Sequence, residues 1–128
     1  MPFPVSWFSR ISFGRRSEID GAGYLRNLGF RVVASQYRIS AGEVDLIAWE
    51  GDILVFIEVK ARQSGAPPED AVGFRKQQRV IRAAHSYMAR YHLQDHSYRF
   101  DILAVTAIPD CEPVFRLLRD AFREPANK

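Results

Sequence analysis

The chain has 128 residues, 47% of them hydrophobic and 12% aromatic, which is enough apolar material for one packed domain and too little length for two. A single cysteine, Cys111, excludes an internal disulfide framework and a cysteine-rich zinc site, and fits a reducing, cytoplasmic setting. With 18 basic residues against 15 acidic, the net charge of +3 permits a polyanionic partner without demanding one.

Residues 1–16 mix Phe3, Trp7, Phe8, Ile11 and Phe13 with Arg10, Arg15 and Arg16. They lack the apolar run of a signal peptide, and Pro2 and Pro4 disturb any early helix. Nor do about 18 apolar residues follow one another later, so a loose tail on a protein with no membrane partner is expected. From Ser17, the spacing of Ile19, Ala22, Gly23 and the run from Leu25 to Leu28 predicts a helix with one buried face, ended by Gly29. Phe30 to Ile39 alternates around Val32, Val33 and Tyr37 and reads as a strand, broken by Ser40, Ala41 and Gly42. Glu43 to Trp49 and Ile53 to Ala61 are two stronger strands, and the Glu50-Gly51-Asp52 link between them signals a hairpin. Gln63 to Pro68, with Gly65, Pro67 and Pro68, marks a flexible loop at the end of the third strand. Val80, Ile81, Ala84, Tyr87, Met88 and Tyr91 then share a helical face, giving a second helix from Glu69 or Phe74 to Tyr91. Tyr98 to Thr106 is a fourth strand. Pro113 to Phe122 fits either a short strand or an amphipathic helix. The order α-β-β-β-α-β predicts an α/β fold with a mixed sheet, an antiparallel hairpin meander and flanking helices. One domain over residues 17–122 lies between an N-terminal segment, 1–16, and a tail, 123–128.

Three charged residues lie where the strands are most apolar: Asp45 beside Val44, Leu46 and Ile47, and Glu58 and Lys60 around Val59. An unpaired buried charge is costly, so such groups are normally paired, metal-bound or on a solvated face. A two-residue turn at Gly51-Asp52, with Gly first as a type II′ turn prefers, puts Asp45 opposite Glu58 and Glu43 opposite Lys60, all on one face. Opposed carboxylates repel unless a cation or proton lies between them, and a hard divalent ion such as Mg²⁺ suits two carboxylates plus waters and phosphate oxygens. Lys60 would orient the attacking water or stabilise developing charge. A three-residue turn would reverse the parity and separate Asp45 from Glu58. The plainer alternative is a solvated ladder of charges on an open sheet face.

The motifs Gly42-Glu43-Val44-Asp45-Leu46-Ile47-Ala48 and Val55-Phe56-Ile57-Glu58-Val59-Lys60-Ala61-Arg62, followed by Ala71-Val72 with Lys76 and by Arg99-Phe100-Asp101, resemble the bacterial YraN family in order and spacing. The resemblance runs from about Arg15 to Thr106 and returns weakly at Asp120-Ala121-Phe122. It implies a restriction-endonuclease-like core similar to that of the PD-(D/E)XK nucleases, Holliday-junction resolvases among them. Asp45, Glu58 and Lys60 match the catalytic positions, with Asp45 and Glu58 the metal ligands for Mg²⁺ or Mn²⁺. Glu18 matches a first-helix glutamate that often completes such sites, and Glu43 the family's acidic position two residues before Asp45. Lys76 and Gln77 are further auxiliary candidates, because nearby helices of this fold can contribute a polar group. Gln36 stands where the family usually carries Asn, and the first helix departs from the pattern around Asp20 and Gly21.

On the second helix Arg75, Arg79 and Arg82 form a stripe opposite the apolar face, with Lys76 on its flank; it is either a solvated face or a grip on phosphates. His92 and His96 are four apart but lie in what reads as a loop, where two histidines alone make a weak metal site; His85 lies on the polar side of the second helix, and Arg99 with Asp101 reads as a structural ion pair. The expected activity is metal-dependent hydrolysis of nucleic acid, DNA above all and branched DNA among the candidates. Two alternatives are a binding module of the same fold that hydrolyses nothing, and an adaptor that docks a partner through Trp7 and Phe8. A homodimer would suit two-strand cleavage, but no residue demands one.

Overall fold

The computed structural model describes residues 13–64 and 72–126. Its elements follow the patterning of the chain: α1 (Phe13–Asn27), β1 (Arg31–Ile39), β2 (Gly42–Glu50), β3 (Ile53–Gln63), α2 (Phe74–Arg90), β4 (Tyr98–Ala107) and β5 (Val114–Phe122). The helix α1 starts four residues before Ser17, so residues 13–16 belong to it rather than to the N-terminal segment; residues 1–12 and 65–71, with most of the proline-bearing loop, lie outside the described residues.

The five strands form one sheet in the order β1-β2-β3-β4-β5. Neighbours are antiparallel except β3 and β4, which run parallel because the chain crosses between them through α2. Glu50 pairs with Ile53, so the hairpin turn is two residues long, and Gly51 takes φ +59° while Asp52 keeps a negative φ, as a type II′ turn requires. This fixes the register on which the site depends.

The apolar residues divide between the two faces of the sheet. Under α1, Ala22, Leu25 and Phe30 bury Leu46, Ala48, Val55, Ile57, Leu103 and Val105. Under α2, Val80, Ala84 and Met88 bury Val44, Ile47, Leu54, Phe56, Phe100 and Ile102. The segment that periodicity left open is a strand: Phe115 and Leu117, two apart, both reach the α1 face, where the Phe115 ring stacks on Tyr24 with centroids 4.6 Å apart. No described helix is long and apolar enough to cross a membrane.

Candidate active site

Strict alternation would place Val44 and Leu46 on the same face of β2, but Val44 packs under α2 and Leu46 under α1. The facing of β2 therefore slips at Asp45. The facing of β1 slips beside it, since Ala34 and Tyr37, three apart, both lie on the α2 side. Gln36, opposite Asp45 by the register of its neighbours, has φ +50°. Asp45, Glu43, Glu58 and Lys60 are thus not assembled by one uninterrupted pleat, as the sequence suggested. Asp45, Glu58 and Lys60 share a cavity where the sheet is locally irregular, and Glu43 stands outside its lining, joined to it through Lys76.

Backbone pairing of β2 with β3 ends at Leu46 and Ile57. At the next position side chains take over: the Asp45 N–H donates to Glu58 Oε1 at 3.3 Å, and the Val59 N–H donates to Asp45 Oδ2 at 2.8 Å. Each carboxylate accepts from the backbone of the facing strand, which draws the two acids together and holds them there. Glu58 is 4% exposed. Burial, and next the charge of Asp45, push its carboxyl up to about 8. Burial likewise raises Asp45. Two facing acids, one buried and one half-buried, are relieved by a shared proton or cation.

The pair lines a cavity of about 430 Å³ together with Glu18, Lys60 and Lys76 and the backbone before α2 at Val72 and Gly73. Glu18, also buried, accepts from Gln36 Nε2 at 2.9 Å through Oε2, while its buried Oε1 finds no hydrogen-bond partner among the described residues. Lys76 Nζ stands 3.5 Å from Glu58 Oε2 and 3.6 Å from Glu43 Oε1, and Arg38 holds the other oxygen of Glu43 at 3.2 Å. Burial would depress Lys76, but Glu58, Asp45 and Glu43 outweigh it and raise its pKa. A larger hollow of about 670 Å³ lies between α1 and the β4–β5 turn; its acids, Asp20, Asp110 and Glu112, are all exposed, so size does not mark it as the chemical centre.

The donor set fits a divalent ion. Among the described residues no three His, Cys, Asp or Glu side chains converge into a ready-made cage, but Mg²⁺ commonly takes one or two carboxylates and completes its shell with water and phosphate oxygens. Asp45 and Glu58 would hold it. Glu18, whose Oε1 has no hydrogen-bond partner among the described residues, is part of the lining of the same cavity.

The remaining candidates divide. Lys60 and Lys76 reach the cavity, whereas Gln77 does not line it and donates its amide to the Val72 carbonyl at 2.8 Å. Arg75 and Arg82 are exposed and Arg79 is half-buried along α2. Gln36 is the residue that sequence reasoning passed over. Its only signal was a polar residue in mid-strand, and its positive φ has no local mark in the sequence.

The family model described as "Uncharacterised protein family UPF0102", which is the YraN family, matches residues 17–105. The chain belongs to this family. Among its relatives, UPF0102 proteins of Agrobacterium fabrum, Alkaliphilus metalliredigens and Syntrophotalea carbinolica are 46%, 42% and 40% identical over 93, 96 and 100 residues. These alignments cover 72%, 73% and 77% of this chain and 76%, 84% and 81% of the relatives. For this UPF0102 member, every cavity residue from Glu18 to Lys76 lies inside the matched span.

Proposed function

We propose that this UPF0102 protein is a metal-dependent nuclease that hydrolyses phosphodiester bonds in DNA. The observation that carries the reading is the pairing of half-buried Asp45 with buried Glu58, held face to face by backbone N–H donors of the opposite strand. A fold selected for stability alone gains nothing from two opposed carboxylates removed in large part from solvent, whereas a site for a hard cation uses them. Bound Mg²⁺ or Mn²⁺ would supply Lewis-acid polarisation of the scissile phosphate and acidify a nearby water.

The chain's own groups do the rest. Asp45 offers Oδ1, since Oδ2 is engaged by Val59, and Glu58 offers Oε2, since Oε1 receives the Asp45 N–H. Lys60, two residues along β3 from Glu58, orients the attacking water and neutralises charge growing on the phosphate. Beside the cavity, α2 begins at Gly73 without a side-chain cap or an acid in its first turn, and such a helix end favours a phosphate. Arg75, Arg79 and Arg82 continue the positive surface along the same helix, giving affinity that is independent of sequence and sensitive to salt.

The test is cleavage of labelled linear, single-stranded and branched DNA in Mn²⁺ or Mg²⁺ by the wild type, Asp45→Ala and Lys60→Ala. Cleavage by the wild type that drops by about 10²-fold or more in both variants is expected. No cleavage of any substrate, with DNA binding unchanged in both variants, would leave a binding module that hydrolyses nothing.

A further inference from the structure

Lys76 sits where a metal would have to act. Its Nζ approaches Glu58 through Oε2, the oxygen left over once the Asp45 N–H has taken Oε1. A divalent ion held by Asp45 and Glu58 would compete with Lys76 for the Glu58 carboxylate. The contacts of Lys76 are loose: 3.5 Å to Glu58 and 3.6 Å to Glu43, against about 2.7–2.9 Å for a charge-assisted hydrogen bond. The lysine side chain is 42% exposed while that of Glu58 is 5% exposed, so the ammonium has a way out to solvent and the carboxylate does not. Glu43 stays in place without it, because Arg38 grips its other oxygen.

The position of Lys76 in α2 is also unusual. The first turn holds Arg75 and Lys76 and no acid, although a helix N-terminus repels cations and attracts anions. Two cations there are stabilised only by anions facing them. The site's carboxylates supply these for Lys76 and, on the reading given above, the substrate's phosphates would supply them for both.

We propose that Lys76 is a tethered counter-cation: it neutralises Glu58 and Glu43 while the site is without metal, and a divalent ion displaces it, still charged, onto the phosphate backbone of the substrate. Metal and nucleic acid then bind cooperatively, because the metal releases the lysine that grips the strand. By linkage the effect is reciprocal, and DNA raises metal affinity by the same factor. This inference rests on the nuclease reading and adds to it the order in which the site is charged.

The experiment is Mn²⁺ titration of the full chain without nucleic acid, followed by the resonance of free Mn²⁺, for the wild type, Lys76→Met and Arg75→Met. Lys76→Met is expected to bind Mn²⁺ on the order of tenfold more tightly, and Arg75→Met, which removes equal charge from the adjacent exposed position, to stay within about twofold of wild type. In a second arm, Ca²⁺ should tighten binding of a duplex oligonucleotide by a larger factor in the wild type than in Lys76→Met, and an equal factor in both would overturn the release of the lysine onto the strand. Mn²⁺ affinity unchanged or weakened in Lys76→Met, or equally strengthened in Arg75→Met, overturns the role of Lys76 and leaves the metal site standing. Absence of Mn²⁺ binding in all three proteins overturns the nuclease reading beneath it.

Discussion

Of the three carboxylates on strand β2, Glu50 at one end and Asp45 toward the other are treated in opposite ways. At one end Glu50 meets Arg119 at 2.7 Å and also Arg99, and Arg99 in turn grips the fully buried Asp101 at 2.9 and 3.0 Å. Asp101 accepts further from the Asp120 N–H. Hydrogen bonds from Arg119, resisted by burial and reinforced by Arg99, hold the Glu50 carboxyl down at about 2. At the other end Asp45 faces Glu58, and Glu58 rises to about 8. Every acid of the first cluster has a guanidinium, the side chain best matched to a carboxylate. In the second cluster Asp45 faces Glu58 with only a loosely placed lysine beside them, and the one close guanidinium, Arg38, goes to Glu43. The first arrangement locks β5 to the rest of the sheet; the second stores unmet demand for a cation, which is what a functional site requires.

The sharpest way to break this contrast is Asp101→Ala. It leaves the Arg99 guanidinium partly uncompensated in a buried setting and removes the acceptor for the Asp120 N–H, so a loss of about 3–5 kcal/mol in unfolding free energy is expected from urea denaturation. Mn²⁺ affinity of the folded protein should stay within about twofold, because Asp101, although paired with Ile57 on β3, does not line the cavity that Asp45 and Glu58 share. A cost under about 1 kcal/mol would remove the claim that this end is the structural lock.

A smaller effect tests how the site end is pinned. A Cβ at Gly42 would fall 1.9 Å from the Arg79 carbonyl oxygen, a backbone atom that no rotamer change can move. Gly42→Ala therefore has to push α2 off β2, at a cost of about 1–3 kcal/mol. Because α2 carries Lys76, the same change should alter Mn²⁺ affinity. Asp101→Ala, although more destabilising, should not, and loss of stability without a change in Mn²⁺ affinity in Gly42→Ala would show that α2 does not set the geometry of the site.

The contrast also explains what was legible beforehand. Apolar alternation and helical spacing placed every element except the state of residues 114–122, where one spacing served two structures until pairing with β4 decided it. The Gly51-Asp52 turn fixed the register, and with it the meeting of Asp45 and Glu58. The slip at Gln36 and Asp45 was hidden because a paired change of facing leaves composition untouched and shows only in which residues share a core. The role of Glu50 was equally hidden: its partners Arg99 and Arg119 come from strands far along the chain, and nothing local in the sequence announces them.

The smallest expected effect gives the most direct view of the buried pair. Because the folded Glu58 carboxyl lies near 8, above its ordinary value of 4.5, the native protein holds this proton more tightly than the unfolded chain. The stability it contributes is complete below about pH 4.5 and is lost as pH rises through about 8. Asp45, raised as well, acts in the same direction. Glu58→Gln copies the protonated form and cannot ionise. In the presence of a chelator its melting temperature should match wild type near pH 5 and exceed it at pH 9, by the equivalent of about 1–2 kcal/mol; that is less than the whole shift would give, because Lys76 and solvent reach the cavity. Saturating Mn²⁺ at pH 9 should reverse the order, since the metal stabilises only the chain that keeps its ligand. Wild-type stability that does not fall between pH 5 and pH 9 without metal would mean that Asp45 and Glu58 are solvated after all, and the two ends of β2 would then differ only in their partners.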